Sequence, residues 1–259
     1  MNRSLTDPDL SDVKVLLCDG DGNLYPSEEP AFEAACEVIN ELMEAVGSDR
    51  RFESEELRRE ATGKNFRSIA TDLVADAGRP PLAAEDLERW VREEVERVTE
   101  HLRMWLRPDA AVSGPLRRLA HSYELAVVTS SAAARLDASL DATRMGTLFP
   151  AALRFSAEDS LDSPKSKPDP AIYAYALESL GVRPEQTLAI EDSRPGVESA
   201  TGAGIATVGN VVFVPEDERE ARIRELREAG AFYVVESWSE FAEMLERAGR
   251  ASRTAGVGA

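Results

Sequence analysis

From about residue 108 onward, short apolar runs alternate with stretches of helical period, and this alternation is the tightest constraint on the fold. Runs of strand length lie at 124–128, 153–155, 187–190, 206–208 and 232–235, with helical stretches at 113–120, 132–140, 171–180, 195–203, 216–229 and 239–248. A further apolar run at 13–18 precedes them all. Strands separated by helices cannot pair as hairpins, so the chain is expected to form an α/β fold. A mostly parallel sheet would be covered by helices on both faces.

Between the first strand and the rest lies a block of different character. After the breaker-rich loop Tyr25-Pro26-Ser27-Glu28-Glu29-Pro30, apolar residues recur at three-and-four spacing in four helical stretches up to about residue 103. The expected organisation is a parallel-sheet unit from residues 1–25 and 108–250, with an inserted all-helical block at 26–107. The small, polar residues 251–259 are expected to form a tail without fixed structure.

Composition removes several classes of function. A formal charge of −18 argues against nucleic acid or an anionic membrane surface as the main partner. The apolar runs are too short to span a membrane, and the N-terminus leads into acidic residues and not into a signal segment, so a cytoplasmic protein is expected. Two cysteines, Cys18 and Cys36, fit a reducing compartment, with packing as the expected role of Cys18. With only His101 and His121 present, Ser-His-Asp, Cys-His and His-rich zinc chemistry are disfavoured. Lysine occurs only at positions 14, 64, 165 and 167 among 30 basic residues. A retained ammonium in an arginine-rich chain draws attention to those positions.

Four predicted strand ends carry polar groups: Asp19 and Asp21, then Thr129, Ser130 and Ser131, then the loop with Lys165 and Lys167, then Glu191 and Asp192. A parallel sheet gathers strand C-termini along one edge, where these groups can converge. Together they suit phosphoryl transfer. Carboxylates hold a hard divalent cation, most simply Mg²⁺, while a lysine offsets phosphate charge and hydroxyls fix phosphate oxygens. One carboxylate is then available to attack phosphorus.

The segments Asp19-Gly-Asp-Gly-Asn-Leu, Val127-Val-Thr-Ser-Ser, Lys167-Pro and Glu191-Asp-Ser-Arg-Pro-Gly resemble, in order, the four motifs of the haloacid dehalogenase-like hydrolase superfamily. The insertion after the first motif resembles its subgroup with a small α-helical cap, the phosphoglycolate phosphatase and β-phosphoglucomutase type. The resemblance implies a Rossmann-like core, a mobile cap and Mg²⁺ dependence. It makes Asp19 the nucleophile and Asp21 the general acid and base, with the Asp21 backbone carbonyl on the metal. Thr129 would bind the phosphoryl group and Lys167 would stabilise nucleophile and phosphate, with Lys165 as the alternative lysine. Asp19 and Asp192 would be direct metal ligands, and Glu191 a direct or water-mediated one. Two positions depart from the usual pattern: Asn23 replaces Thr or Val, and Gly20 replaces an apolar residue.

Within the resemblance, Asp21 favours phosphate esters over dehalogenation, and Ala31, where mutases of this cap type tend to carry histidine, disfavours a mutase. Thr62-Gly63-Lys64-Asn65 falls between two cap helices, so Gly63, Lys64 and Asn65 are the cap residues expected to meet substrate, as Ser130 and Ser131 are in the core. The expectation is a Mg²⁺-dependent phosphatase of a small phosphorylated metabolite, acting as a monomer or homodimer. The alternatives are a phosphomutase and a non-catalytic relative that binds a phospho-ligand.

Overall fold

The structure is a computed structural model that describes residues 8–61 and 66–255. The chain forms two compact units, residues 26–106 and the remainder. No described helix is long and apolar enough to cross a membrane.

The larger unit is built on a six-stranded sheet in which every pairing is parallel. In chain order its strands are β1 (Val15–Cys18), β2 (Glu124–Thr129), β3 (Arg154–Ser156), β4 (Thr187–Glu191), β5 (Ala206–Asn210) and β6 (Tyr233–Val235), and they lie side by side as β3-β2-β1-β4-β5-β6. The chain therefore runs outward from β1 in one direction, then returns to its other side. That reversal makes β1 and β4 a topological switch point, where open α/β sheets place their sites.

All four residues of β1 are buried, as expected of a central strand covered on both faces. Val15 and Leu17 point into a core shared with Ala126 and Val128 of β2, Ala189 of β4, and Ile172, Tyr173 and Ala176 of a helix at Ala171–Leu180. Leu16 and Cys18 alternate to the opposite face and are fully buried.

Among the described residues, the smaller unit contains only helices. It comprises α1 (Glu28–Ala45), α2 (Ser54–Ala61), α3 (Phe66–Asp76) and α4 (Ala84–Trp105). Its core draws on Val38, Ile39, Leu42 and Met43 of α1 with Ile69, Leu73 and Val74 of α3. The larger unit continues with α5 (Ala110–Leu119), α6 (Ala133–Ala142), α7 (Ala171–Leu180), α8 (Arg194–Gly202), α9 (Glu216–Ala229) and α10 (Trp238–Ala255). Helix α10 continues five residues into the stretch expected to lack structure; Ala251, Arg253 and Ala255 are good helix formers.

Both histidines have local partners, Glu33 for His101 and the Arg117 carbonyl for His121. Cys18 and Cys36 are buried free thiols, and burial pushes the Cys18 thiol well above its usual range, which makes it inert packing.

Candidate active site

Register brings the acids together. Cys18 is level with Ile190 on β4 and Val127 on β2, so the chains emerge side by side as Asp19, Glu191 and Val128-Thr129. The Asp19 amide still donates to the Ile190 carbonyl at 3.1 Å, which extends the ladder one residue beyond β1. Carboxylate oxygens of Asp19, Glu191 and Asp192 all lie within 4.8 Å of one another, and all three residues are buried.

Lys167 enters this cluster from the loop before α7. Its Nζ donates to Asp19 Oδ1 at 2.5 Å, to Glu191 Oε1 at 2.7 Å and to the Val128 carbonyl at 2.8 Å. Three contacts satisfy the three donors of an ammonium. Burial works against its charge, but Asp19 and Glu191 outweigh that and raise its pKa, so Lys167 stays protonated. Asp19 is pushed up to about 7, chiefly by burial and further by Glu191, against the opposing pull of Lys167. Tyr173 of α7 donates its phenol to Glu191 Oε1. Burial and the Glu191 charge raise that phenol's pKa, which keeps it a donor. Lys165, the alternative lysine, instead lies at the surface 3.9 Å from Asp169.

Two glycines admit the carboxylates. A Cβ on Gly196 would fall 1.8 Å from Glu191 Oε2, and one on Gly22 would fall 2.3 Å from Asp192 Oδ2. Gly22 also has φ of +74°, in the turn closed by its amide on the Tyr25 carbonyl. Helix α8 starts beside these acids with Ser193 as N-cap, its Oγ accepting from the Gly196 amide at 3.2 Å.

The donor set fits a hard divalent cation. Three buried carboxylates face one ammonium, which leaves surplus negative charge, and Glu191 Oε2 is buried with no hydrogen-bond partner among the described residues.

Asp21 points elsewhere. Its Oδ2 accepts from Ser131 Oγ at 2.7 Å and its Oδ1 from Arg135 Nη2 of α6 at 3.1 Å. The three hydroxyls after β2 thus have separate employments. Thr129 Oγ1 accepts from the Ser131 amide, Ser130 Oγ accepts from the Lys167 amide, and Ser131 Oγ serves Asp21.

The departures at 20 and 23 have structural causes. A Cβ on Gly20 would lie 2.9 Å from the Tyr25 hydroxyl. Asn23 is fully buried, and its Nδ2 donates to the carbonyls of Asp19 at 2.9 Å and Ile190 at 3.2 Å. Asn210 Nδ2 donates to Asn23 Oδ1 at 2.8 Å, and Trp238 Nε1 donates to the Asn23 carbonyl at 3.3 Å. One side chain therefore ties the loop that carries Asp19 to β4 and β5.

Gly63, Lys64 and Asn65 lie outside the described residues. Reading the sequence missed Tyr173, Arg135 and Asn210. The signal available for Tyr173 was a tyrosine on the buried face of the helix that follows Lys167-Pro168; nothing local marks the other two.

The sequence pattern of the haloacid dehalogenase-like hydrolases matches residues 17–210. Protein CbbY of Cereibacter sphaeroides is 31% identical over 233 residues, spanning 88% of this chain and 94% of that one. A phosphoglycolate phosphatase of Pseudomonas putida is 34% identical over 86 residues, or 33% of this chain and 30% of that enzyme. Among solved structures, a mutant of CbbY from Rhodobacter sphaeroides, in complex with xylulose-1,5-bisphosphate, superposes with a TM-score of 0.66 at 24% identity. The match covers 88% of this chain and 96% of the other. With the family pattern matched over three quarters of its length and the acid–lysine cluster at the switch point of its sheet, the chain belongs to the haloacid dehalogenase-like hydrolase family and is a phosphatase of that family.

Proposed function

We propose that the protein is a Mg²⁺-dependent phosphatase of a small phosphorylated metabolite and works through an aspartyl-phosphate on Asp19. The observation that carries this reading is the contact of Lys167 with both Asp19 and Glu191 in a buried group of three carboxylates. A phosphosugar is the favoured substrate class, because CbbY, similar over most of both chains, has been crystallised with one.

In this mechanism an oxygen of Asp19 attacks phosphorus and the ester P–O bond breaks. Asp21 gives its proton to the departing oxygen. It then takes a proton from water, whose oxygen attacks the same phosphorus, and Asp19 is released as carboxylate with free phosphate. Lys167 neutralises charge on Asp19 and the incoming phosphoryl oxygens, and the hydroxyls of Thr129 and Ser130 hold phosphoryl oxygens, while Ser131, expected from the sequence to join them, gives its hydroxyl to Asp21. Asp19, Asp192 and Glu191, with the Asp21 carbonyl, would hold Mg²⁺, which supplies further charge neutralisation when bound. We assign substrate choice to the helical unit, through Gly63, Lys64 and Asn65. The buried free thiols favour the cytoplasm.

A screen of phosphorylated metabolites for Mg²⁺-dependent phosphate release tests this reading, run on wild type, Asp19→Asn and Lys64→Ala. Asp19→Asn should lose at least about a thousandfold in kcat. Lys64→Ala should lose most on the natural substrate and little on an aryl phosphate. Retained turnover in Asp19→Asn would remove the nucleophile assignment, and an isomerised phosphosugar without phosphate release would replace the phosphatase by a mutase.

A further inference from the structure

Arg135 stands where a helix ordinarily disfavours a cation. It is the third residue of α6, whose first turn contains no acidic side chain. The partial positive charge of a helix N-terminus repels a guanidinium there. A residue that breaks a local rule needs a compensating partner, and Arg135 has one in Asp21, at 3.1 Å across 114 residues of sequence. Both side chains are mostly buried, 21% and 23% exposed, so the pair is shielded from water more than an ordinary surface ion pair.

The other Asp21 oxygen is fixed with equal care. Ser131 Oγ donates to it at 2.7 Å, and the Ser131 backbone is itself clamped, its amide on Thr129 Oγ1 and its carbonyl on Ser156 Oγ of β3. Leu136, the next residue of α6, packs over Gly20, where a Cβ would sit 3.6 Å from its Cδ1. The first turn of α6 is therefore seated on the loop that carries Asp21, with charge on one side and an apolar contact on the other.

We infer that Arg135 is a positioning residue for proton transfer: with Ser131 it holds the Asp21 carboxyl in one orientation, outside the acid cluster of Asp19, Glu191 and Asp192. This rests on the proposed role of Asp21 as the acid that protonates the leaving oxygen. In that step Asp21 acts in its acid form, its proton taken from solvent beforehand: the P–O bond electrons go to the departing oxygen, that proton joins it, and Asp19 gains the bond to phosphorus. A carboxyl free to rotate spends less time aimed at that oxygen, and the loss falls on substrates whose leaving group needs the proton.

The test compares kcat/KM for p-nitrophenyl phosphate, whose phenolate departs unprotonated, with benzyl phosphate, whose alkoxide does not. Arg135→Met keeps the stem and removes the guanidinium. It should lower kcat/KM at least about tenfold on benzyl phosphate and no more than about threefold on p-nitrophenyl phosphate. Asp21→Asn should show the same split at larger size, and the double variant should be no worse than Asp21→Asn alone. Arg135→Lys keeps a cation against Asp21, guards against a Met variant that does not fold, and should show the split at reduced size.

Equal losses on both esters, or no loss on either, in Arg135 variants while Asp21→Asn shows the split would overturn the role of Arg135. Absence of the split in Asp21→Asn itself would instead overturn the acid assignment beneath it.

Discussion

The two flanks of β1 treat their acids in opposite ways. On the β4 flank, Asp19 and Glu191 are packed around Lys167 and Tyr173 with almost no exposure, and every donor of the ammonium is used. On the β2 flank, Asp21 is about a quarter exposed and is held by one hydroxyl and one guanidinium. In the proposed mechanism Asp19 bonds to phosphorus; a group in that role must be placed and desolvated in advance, and burial of the first flank does that. In the same mechanism Asp21 carries a proton to one oxygen and from another; a group in that role must reach solvent, and the second flank leaves it that access. The difference lies less in residue type, since both flanks use carboxylates, than in what surrounds them.

Matched glycine substitutions separate the flanks most sharply. Gly196→Ala drives a methyl to 1.8 Å from the buried Glu191 Oε2, and Glu191 is pinned by Lys167 and Tyr173. Gly20→Ala meets the Tyr25 hydroxyl at 2.9 Å, the far end of a longer side chain. Gly196→Ala should lose at least about a hundredfold in kcat and about 2–4 kcal/mol of stability, the range for forced overpacking beside buried charge. Gly20→Ala should cost about 1 kcal/mol and less than about tenfold in rate. Steady-state kinetics with urea unfolding measures both. Similar losses at the two positions would erase the contrast.

The second difference is electrostatic. The Asp19 carboxyl is raised from 3.8 to about 7 in the folded protein without metal. Between those values the folded state keeps a proton that the unfolded chain has lost. The folded state binds more protons there, and this group's contribution to stability falls as pH rises from about 4 to about 7. A cation must displace that proton, so Mg²⁺ binding should release protons below about pH 7, and apparent affinity should rise with pH by up to about tenfold per unit before flattening. Calorimetry in buffers of different ionisation enthalpy at about pH 6.5 reads the released proton directly. Asp19→Asn should abolish the release, and Asp21→Asn, on the other flank, should leave it in place.

How much of this was legible in the sequence follows from distance along the chain. Each strand end declared itself locally, as an apolar run that stops at Asp19, Thr129 or Glu191, so the parallel sheet and the main polar groups were readable. Lys167 was separable from Lys165 through its pairing with a proline and its place before a helix, and the structure puts just one of them on Asp19. Roles that depend on register and helix packing were hidden. Arg135 reads as an ordinary charge on a short helix, and Ser131 as one more phosphate-binding hydroxyl, until α6 seats both against Asp21. Gly20 and Asn23 were visible as departures, but their causes sit in Tyr25, Asn210 and Trp238, the last 215 residues away.

Asn23 joins the flanks, and the smallest expected effect tests how. Its amide is saturated: Nδ2 bonds to carbonyls at the ends of β1 and β4, and Oδ1 accepts from Asn210 on β5. Threonine, usual in the family at this position, has one hydroxyl proton and a shorter reach. It can bond to one of those carbonyls, and it would leave Asn210 without its acceptor. Asn23→Thr should therefore cost about 1–3 kcal/mol, the penalty of a buried polar group left unpaired. Asn210→Ala should cost a similar amount. Because both remove the same bond, the double variant should fall short of their sum by at least about 0.5 kcal/mol in a mutant cycle from urea midpoints. If the clamp serves both flanks, kcat should drop by less than about tenfold, and equally on p-nitrophenyl and benzyl phosphate. A leaving-group split in Asn23→Thr would instead attach this residue to the Asp21 flank alone.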